Sequence, residues 1–254
     1  MVAGPMPART ETAVLLVAGL GSRLGPEAQG LPKALIGLTD EETILGRALR
    51  LLRDYGVRRV VFATGYRKDA IVAASSGLGL ETAYAHNERF ATTQNAASLR
   101  GCERYLGPDE AFFKLDGDLV FDPEVLPRLD VGGGELLAAV DDRRVLDAEA
   151  MKVRADSEGS ILAFGKGIPI DRADGESIGI ERVSARASPV LFAALAAASA
   201  EQRFQLYYED VYSELIAENA LEARLVRVGD LAWTEVDTPE DLARARALMR
   251  PHRS

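Results

Sequence analysis

One cysteine and two histidines among 254 residues leave little room for thiol or imidazole chemistry. A single cysteine cannot close an intrachain disulfide, so the redox compartment is unconstrained. Cys102 also falls in a helical pattern beside Leu99, where a packed or surface thiol explains it better than a nucleophile. His86 lies in a loop and His252 in the C-terminal tail, so neither has a ligand partner for a metal. A basic excess is missing too. The formal charge is −9, which argues against sequence-wide binding of nucleic acid, because that needs a cationic face. Long apolar runs are absent. Ala13–Leu20 is far too short to span a bilayer, and residues 1–11 carry two prolines but no apolar signal core. A cytoplasmic enzyme, with no membrane and no nucleic-acid partner, is the expectation.

What is present suits one large α/β domain over residues 12–250, preceded by a disordered tail at 1–11. AVLLVAG reads as a fully buried strand ending in glycine. A polar stretch from Gly19 to about Thr43 leads into a helix whose Ile44, Leu45, Ala48, Leu49 and Leu52 share a face, with Gly56 as its stop. RRVVFAT, LETAYA and AFFKL read as further strands. RKDAIVAASS and NAASLRGCERYL read as the helices between them. Such alternation predicts a mostly parallel, doubly wound sheet flanked by helices. The second half differs. ELLAAV, MKVRA, ILAFG and SIGIERV are short strands between turns, so the sheet becomes mixed and gains a small extra β element. Two helices follow, then ARLVRV and LAWTEV, and a last helix capped by Thr238 with Pro239 at its first position.

Ligands of open α/β sheets bind at the carboxyl ends of parallel strands. Four such ends carry the informative residues: Gly19, Gly65-Tyr66, Asn87 and Asp118. The first loop, LVAGLGSRLG, lacks the Gly-Lys-Ser/Thr ending of a P-loop. It is not a dinucleotide fingerprint either. Leu24 stands where the third glycine belongs, and the second strand ends in Thr64-Gly65 with no carboxylate for a ribose. Glycines at 19 and 21 let backbone amides approach phosphate oxygens, and Arg23 and Lys33 supply the local positive charge that an acidic protein needs. A surface glycine turn with two solvated cations is the plain alternative.

These residues resemble the signature of the sugar-phosphate and alcohol-phosphate nucleotidyltransferases, in LVAGLGSRLG followed by LPKAL. The similarity continues through TGY at 64–66, Asn87 with TTQNAASL, LDGDLVF at 115–121 and WTEVDTPEDL at 233–242. Within that family, MKVRADSEGSI, FGK and ADGESIGI are similar to the phosphocholine and phosphonate cytidylyltransferase branch. Gln94-Asn95 departs from the two adjacent asparagines often found there. The resemblance implies a Rossmann-like (GT-A-like) fold, with transfer of CMP from CTP to a small phosphate or phosphonate acceptor and release of pyrophosphate. It implies Mg²⁺ on Asp118 with Asp237 or Glu235, Arg23 and Lys33 on the triphosphate, and Lys166 on the acceptor side. Nucleotide contacts would come from Ala18, Gly19, Leu20, Gly21, Ser22, Tyr66, Asn87, Asn95 and Ser98. Apart from the resemblance, the aromatic and acidic Tyr207, Tyr208, Glu209 and Trp233 suit an ammonium on the acceptor through cation–π contacts, with Glu176 facing the acceptor too, and a homodimer is compatible with the family. Bland readings stand beside several of these: Asn95 suits a helix cap, Asp237 suits the helix start TPED, and Tyr207, Tyr208 and Trp233 suit core packing.

Other readings are a sugar-1-phosphate or inositol-phosphate nucleotidyltransferase using another NTP, a metal-dependent glycosyltransferase reading Asp116-x-Asp118 as its metal motif, and a non-catalytic nucleotide sensor. The glycosyltransferase leaves Arg23 and Lys33 without a triphosphate to neutralise.

Overall fold

The structure, a computed structural model, describes residues 9–19, 21, 24, 30–108, 110–131 and 133–249. The predicted site residues Leu20, Ser22 and Arg23, and most of the predicted N-terminal tail, lie outside the described residues.

The first strand, β1 (Thr12–Val17), sits in the middle of the sheet, and its apolar run leaves almost no surface exposed. After it, α1 (Ile44–Tyr55) starts where Thr43 accepts a hydrogen bond from the Gly46 amide and stops at the left-handed Gly56. There follow β2 (Arg59–Thr64), α2 (Lys68–Ser75), β3 (Glu81–His86), α3 (Asn95–Arg100) and β4 (Phe112–Asp116). β2 and β4 flank β1, and β3 lies outside β2, all four parallel. The alternating first half is therefore the parallel sheet that its pattern predicts.

The expected single helix over NAASLRGCERYL is shorter. α3 ends at Arg100, Gly101 follows as its cap, and a separate 3-10 turn spans Glu103–Tyr105. Glycine is a poor helix former, and Cys102 turns its buried thiol inward at that break.

In the second half come β5 (Leu119–Phe121), α4 (Val125–Asp130), β6 (Leu136–Asp141), β7 (Lys152–Ala155), β8 (Ile161–Gly165) and β9 (Gly175–Val183). They are followed by α5 (Ala187–Ala200), α6 (Tyr208–Ala217), β10 (Ala223–Arg227), β11 (Trp233–Glu235) and α7 (Pro239–Leu248). The main sheet runs β10-β6-β9-β4-β1-β2-β3, with β9 antiparallel to both neighbours. β7 and β8 form a hairpin off β9, and β5 pairs antiparallel with β11 as a separate two-stranded sheet.

Apolar side chains fill both faces. Leu45, Leu49, Leu52, Phe62, Phe113 and Leu115 belong to the α1 and α4 side, and Val61, Leu99, Phe112, Leu191 and Tyr212 to the α3, α5 and α6 side. A third, smaller cluster matters most for the site. Leu24, Ile36, Ile44, Val120, Val236 and Leu242 pack together, so Leu24, the segment at Ile36, the β5–β11 pair and α7 are held as one piece. No helix among the described residues is long and apolar enough to cross a membrane.

Candidate active site

The exit of β1 is clasped on both sides by glycines. The Tyr66 amide donates to the Ala18 carbonyl at 3.1 Å, and the Gly117 amide donates to the Leu16 carbonyl at 3.0 Å. A Cβ on Gly65 would stand 2.7 Å from the Ala18 oxygen, and one on Gly117 would stand 2.6 Å from the Leu16 oxygen. Only glycine permits this closeness. The first loop thus emerges between the ends of β2 and β4, as the strand-end pattern predicts. Gly21 adopts φ +66° and lies against the Lys33 stem, where an added Cβ would sit 3.0 Å from the Lys33 Cβ. A Cβ on Gly19 would meet only open space, so its backbone borders the cleft unobstructed.

Lys33 then crosses to three carboxylates. Its ammonium is 2.6 Å from Asp118 Oδ2, pairs directly with Asp237, and lies 3.9 Å from Glu235 Oε1. Asp118 follows β4, while Glu235 ends β11 and Asp237 precedes α7. Pairing of Glu235 with Leu119, and of the Val236 amide with the Asp118 carbonyl at 3.0 Å, brings residues far apart in sequence together. Burial lowers the Lys33 pKa, but attraction and hydrogen bonding from Asp118 and Asp237 outweigh it and raise the value overall. Glu235 is pushed up to about 8, first by loss of solvation among its neighbours and then by the charges of Asp118 and Asp237. Half of its side-chain surface nevertheless stays open.

Among the described residues, one ammonium faces three carboxylates. One oxygen from each lies within 4.8 Å of the others, and among the described residues the buried Asp118 Oδ1 has no hydrogen-bond partner. An all-oxygen set with an orphaned buried acceptor fits a hard divalent cation such as Mg²⁺. Asp118, Asp237 and Glu235 are therefore brought together as one constellation.

The other predicted residues are placed less uniformly. Tyr66 donates from its hydroxyl to the Gly30 carbonyl at 3.1 Å. Asn87 braces its own loop, with Nδ2 donating to Thr93 at 3.0 Å and Ser98 at 2.9 Å while Oδ1 accepts from the Arg89 amide. Asn95 Oδ1 accepts from the Tyr208 amide at 2.9 Å, so it caps α6 across the fold rather than its own helix. Lys166 sits at the end of β8, 3.3 Å from Glu149 and 5.5 Å from the Tyr207 ring centre. Glu176 is mostly buried beside Arg144 at 3.4 Å, and burial raises its pKa more than Arg144 lowers it. Trp233 Nε1 donates to Asp141 at 2.7 Å, and the Arg144 guanidinium stacks 4.7 Å from the indole. A cavity of about 470 Å³ opens beside these residues.

Tyr208 departs from its expected role at the acceptor. It is fully buried, its ring covers the Lys114 ammonium at 3.5 Å, and its hydroxyl donates to Asp116 Oδ2 at 2.9 Å. α6 begins at Tyr208, so Tyr207 lies just outside the helix, while Val211 and Leu215 enter the core. The sequence motifs named Asp116 only as part of Asp116-x-Asp118 and left Lys114 and Glu181, its partners in a buried polar core, unmarked. Its signal was charge inside otherwise apolar strands, FFKLD and SIGIERV.

Residues 13–203 match the MobA-like NTP transferase domain, and the chain belongs to that family. It is 31% identical over 95% of its length to the CMP-5'-(3-aminopropyl)phosphonate synthase of Streptomyces rubellomurinus, covering 39% of that protein. It is also 31% identical, over 91% of its length, to the bifunctional IPC transferase and DIPP synthase of Rubrobacter xylanophilus, covering 50% of it. The chain thus spans half or less of these two relatives. Among solved structures, the inositol-1-phosphate CTP transferase from T. maritima superposes with a TM-score of 0.78 at 22% identity. That alignment covers 94% of this chain and 97% of the other. The CTP:phosphocholine cytidylyltransferase from Streptococcus pneumoniae gives 0.70 at 15% identity, covering 95% and 100% respectively. These likenesses show a shared fold.

Proposed function

We propose that this chain transfers CMP from CTP to a small acceptor carrying a phosphate or phosphonate, releasing pyrophosphate. The observation that carries this reading is the Lys33 ammonium held among Asp118, Asp237 and Glu235 beneath a glycine-bordered loop. The preference for CTP rests on the names of the relatives, several of which use or make cytidine compounds.

An anionic acceptor oxygen attacks the α-phosphorus. One P–O bond forms as the bond to the β-phosphate breaks, and its electron pair leaves with pyrophosphate. No side-chain nucleophile is needed, so catalysis is positioning and charge neutralisation. The amides around Gly19 and Gly21 cradle the phosphates, Arg23 and Lys33 neutralise the triphosphate, and Lys166 steers the acceptor. Asp118 with Asp237 and Glu235 would hold Mg²⁺, which supplies compensation for charge developing on the leaving group. A glycosyltransferase would give Lys33 no triphosphate to meet, and the match to an NTP transferase family also favours a triphosphate donor.

The test is pyrophosphate release with each NTP against phosphocholine, 2-aminoethylphosphonate, inositol 1-phosphate and glucose 1-phosphate. Highest turnover with CTP and a phosphonate or phosphocholine supports the reading. Preference for another NTP with a sugar phosphate would redirect it, and no release with any pair would overturn it. Lys33→Ala is expected to abolish detectable turnover while the circular dichroism spectrum stays native; near-normal rates would remove the role given to that lysine.

A further inference from the structure

Lys114 is an unusual residue for the third position of a central strand, since its side chain has no exposed surface at all. A buried ammonium persists only where anions and acceptors surround it. It has Glu181 at 2.7 Å, Asp116 Oδ1 at 3.3 Å, the Gly179 carbonyl at 3.2 Å and the Tyr208 ring over it. Glu181 is as deeply buried as the lysine. Asp116 is different: 29% of its side-chain surface remains open.

The chain makes deliberate room for that carboxylate. Gly179 on β9 has φ +77°, and a Cβ there would stand 2.5 Å from Asp116 Oδ2. Among the described residues each Asp116 oxygen has one donor, Lys114 on Oδ1 and Tyr208 on Oδ2. A carboxylate oxygen accepts at about two sites, so acceptor capacity remains on the open side. Asp116 lies two residues before Asp118, which limits their backbone separation to roughly 7 Å. It therefore belongs to the same cleft without belonging to the carboxylate constellation that closes on Lys33.

We infer that Asp116 determines acceptor specificity: it accepts a hydrogen bond from a donor, ammonium or hydroxyl, on the end of the acceptor remote from its phosphorus. Lys114 and Tyr208 are positioning residues that fix it from behind. The inference rests on the transferase reading above. An anionic phosphorus group is repelled by a carboxylate, so the acceptor presents its far end, not its phosphorus, to Asp116. The reach of about two residues suits an acceptor with a short carbon chain between phosphorus and donor.

Three probes with the same two-carbon chain separate the outcomes: 2-aminoethylphosphonate, 2-hydroxyethylphosphonate and ethylphosphonate, each with saturating CTP and Mg²⁺. The wild-type chain is expected to favour one donor-bearing probe over ethylphosphonate by roughly 10- to 100-fold in kcat/KM, the range for one charged hydrogen bond. Which probe wins tells ammonium from hydroxyl. Asp116→Asn should erase most of that preference through the acceptor KM, leaving the KM for CTP in place. Tyr208→Phe, which removes only the buried hydroxyl, should lose part of the preference with the same split. Manganese binding followed by electron paramagnetic resonance should stay at wild-type strength in Tyr208→Phe, which separates acceptor recognition from metal binding.

A folded Asp116→Asn or Tyr208→Phe chain that keeps the full preference overturns the inference, as does a wild-type chain that transfers to all three probes equally. A wild-type chain that releases no pyrophosphate with any acceptor instead overturns the transferase reading beneath it.

Discussion

The two ends of the central sheet treat carboxylates in opposite ways. At the end where β1 and β4 begin, Asp130 is saturated. It accepts from the Thr10 amide at 3.0 Å, the Thr10 hydroxyl at 2.6 Å, the Tyr55 hydroxyl at 2.5 Å and Arg182 at 2.8 Å. Glu110 nearby is held by Arg59, Thr12 and the Gly107 amide. Burial alone would raise both pKa values, but the donors on Asp130, and Arg59 with Thr12 on Glu110, bring them below the usual carboxylate range. At the other end, among the described residues, Asp118, Glu235 and Asp237 gather around the Lys33 ammonium, Asp118 Oδ1 has no hydrogen-bond partner, and Glu235 is pushed up. A carboxylate that is fully satisfied stabilises the fold and has nothing left for a ligand. One that is crowded and under-satisfied costs stability and is poised to hold a cation.

That contrast predicts opposite outcomes for removing one carboxylate at each end. Asp118→Asn should lower the rate of pyrophosphate release by about 1,000-fold, of the order found when a key electrostatic contact to the reacting phosphates is lost. Its melting temperature should stay level or rise, because like charges are relieved. A clear drop in melting temperature would break the comparison. Asp130→Ala should do the reverse, costing about 3–5 kcal/mol of unfolding free energy in urea by leaving Arg182 buried without its partner. The activity of the folded fraction should remain near wild type.

The two ends were also unequally legible in the sequence. The apolar AVLLVAG, the glycines of the loop and the strand-end positions of Gly65 and Asp118 follow from local pattern, and the structure places them at one cleft. Glu235 and Asp237 became metal candidates only through family resemblance. Their place beside Asp118 depends on β5 pairing with β11, and β5 is only three residues long. No periodicity marks so short a strand, and none predicts a pairing across more than a hundred residues. The saturated end was invisible for a similar reason, since Thr10, Tyr55, Asp130 and Arg182 each look like ordinary polar residues until the fold collects them. Tyr208 and Asn95 show a subtler limit. Both were assigned to ligands by type, and in the fold they bond inward, Asn95 to the Tyr208 amide and Tyr208 to Asp116.

The smallest expected effect lies between the two ends, in the polar core under α6. Glu209 is 4% exposed, its Oε2 has no hydrogen-bond partner among the described residues, and its carboxyl is pushed up to about 8, by burial first and then by Asp116 and Glu181 against the opposing Lys114. In the unfolded chain it titrates near 4.5. Between those values the folded state holds a proton that the unfolded state has lost, so raising the pH through this window weakens folding. Asp130 and Glu110 act with the opposite sign: their contribution is complete above the ordinary carboxylate pKa and disappears as the pH falls through their depressed folded values. Stability should therefore fall on both the acid and the alkaline side, for reasons located at different places in the molecule. Glu209→Gln keeps the shape of the side chain and cannot ionise. It should gain about 1 kcal/mol over wild type at pH 9, about 2–4 °C in melting temperature for a chain of this size, with a smaller gain at pH 6. The acid limb, set by Asp130 and Glu110, should be unchanged. An alkaline limb that stays as steep in Glu209→Gln would move the origin of that limb away from Glu209, leaving Glu181, pushed up to about 7 by burial against the pull of Lys114, as the group responsible.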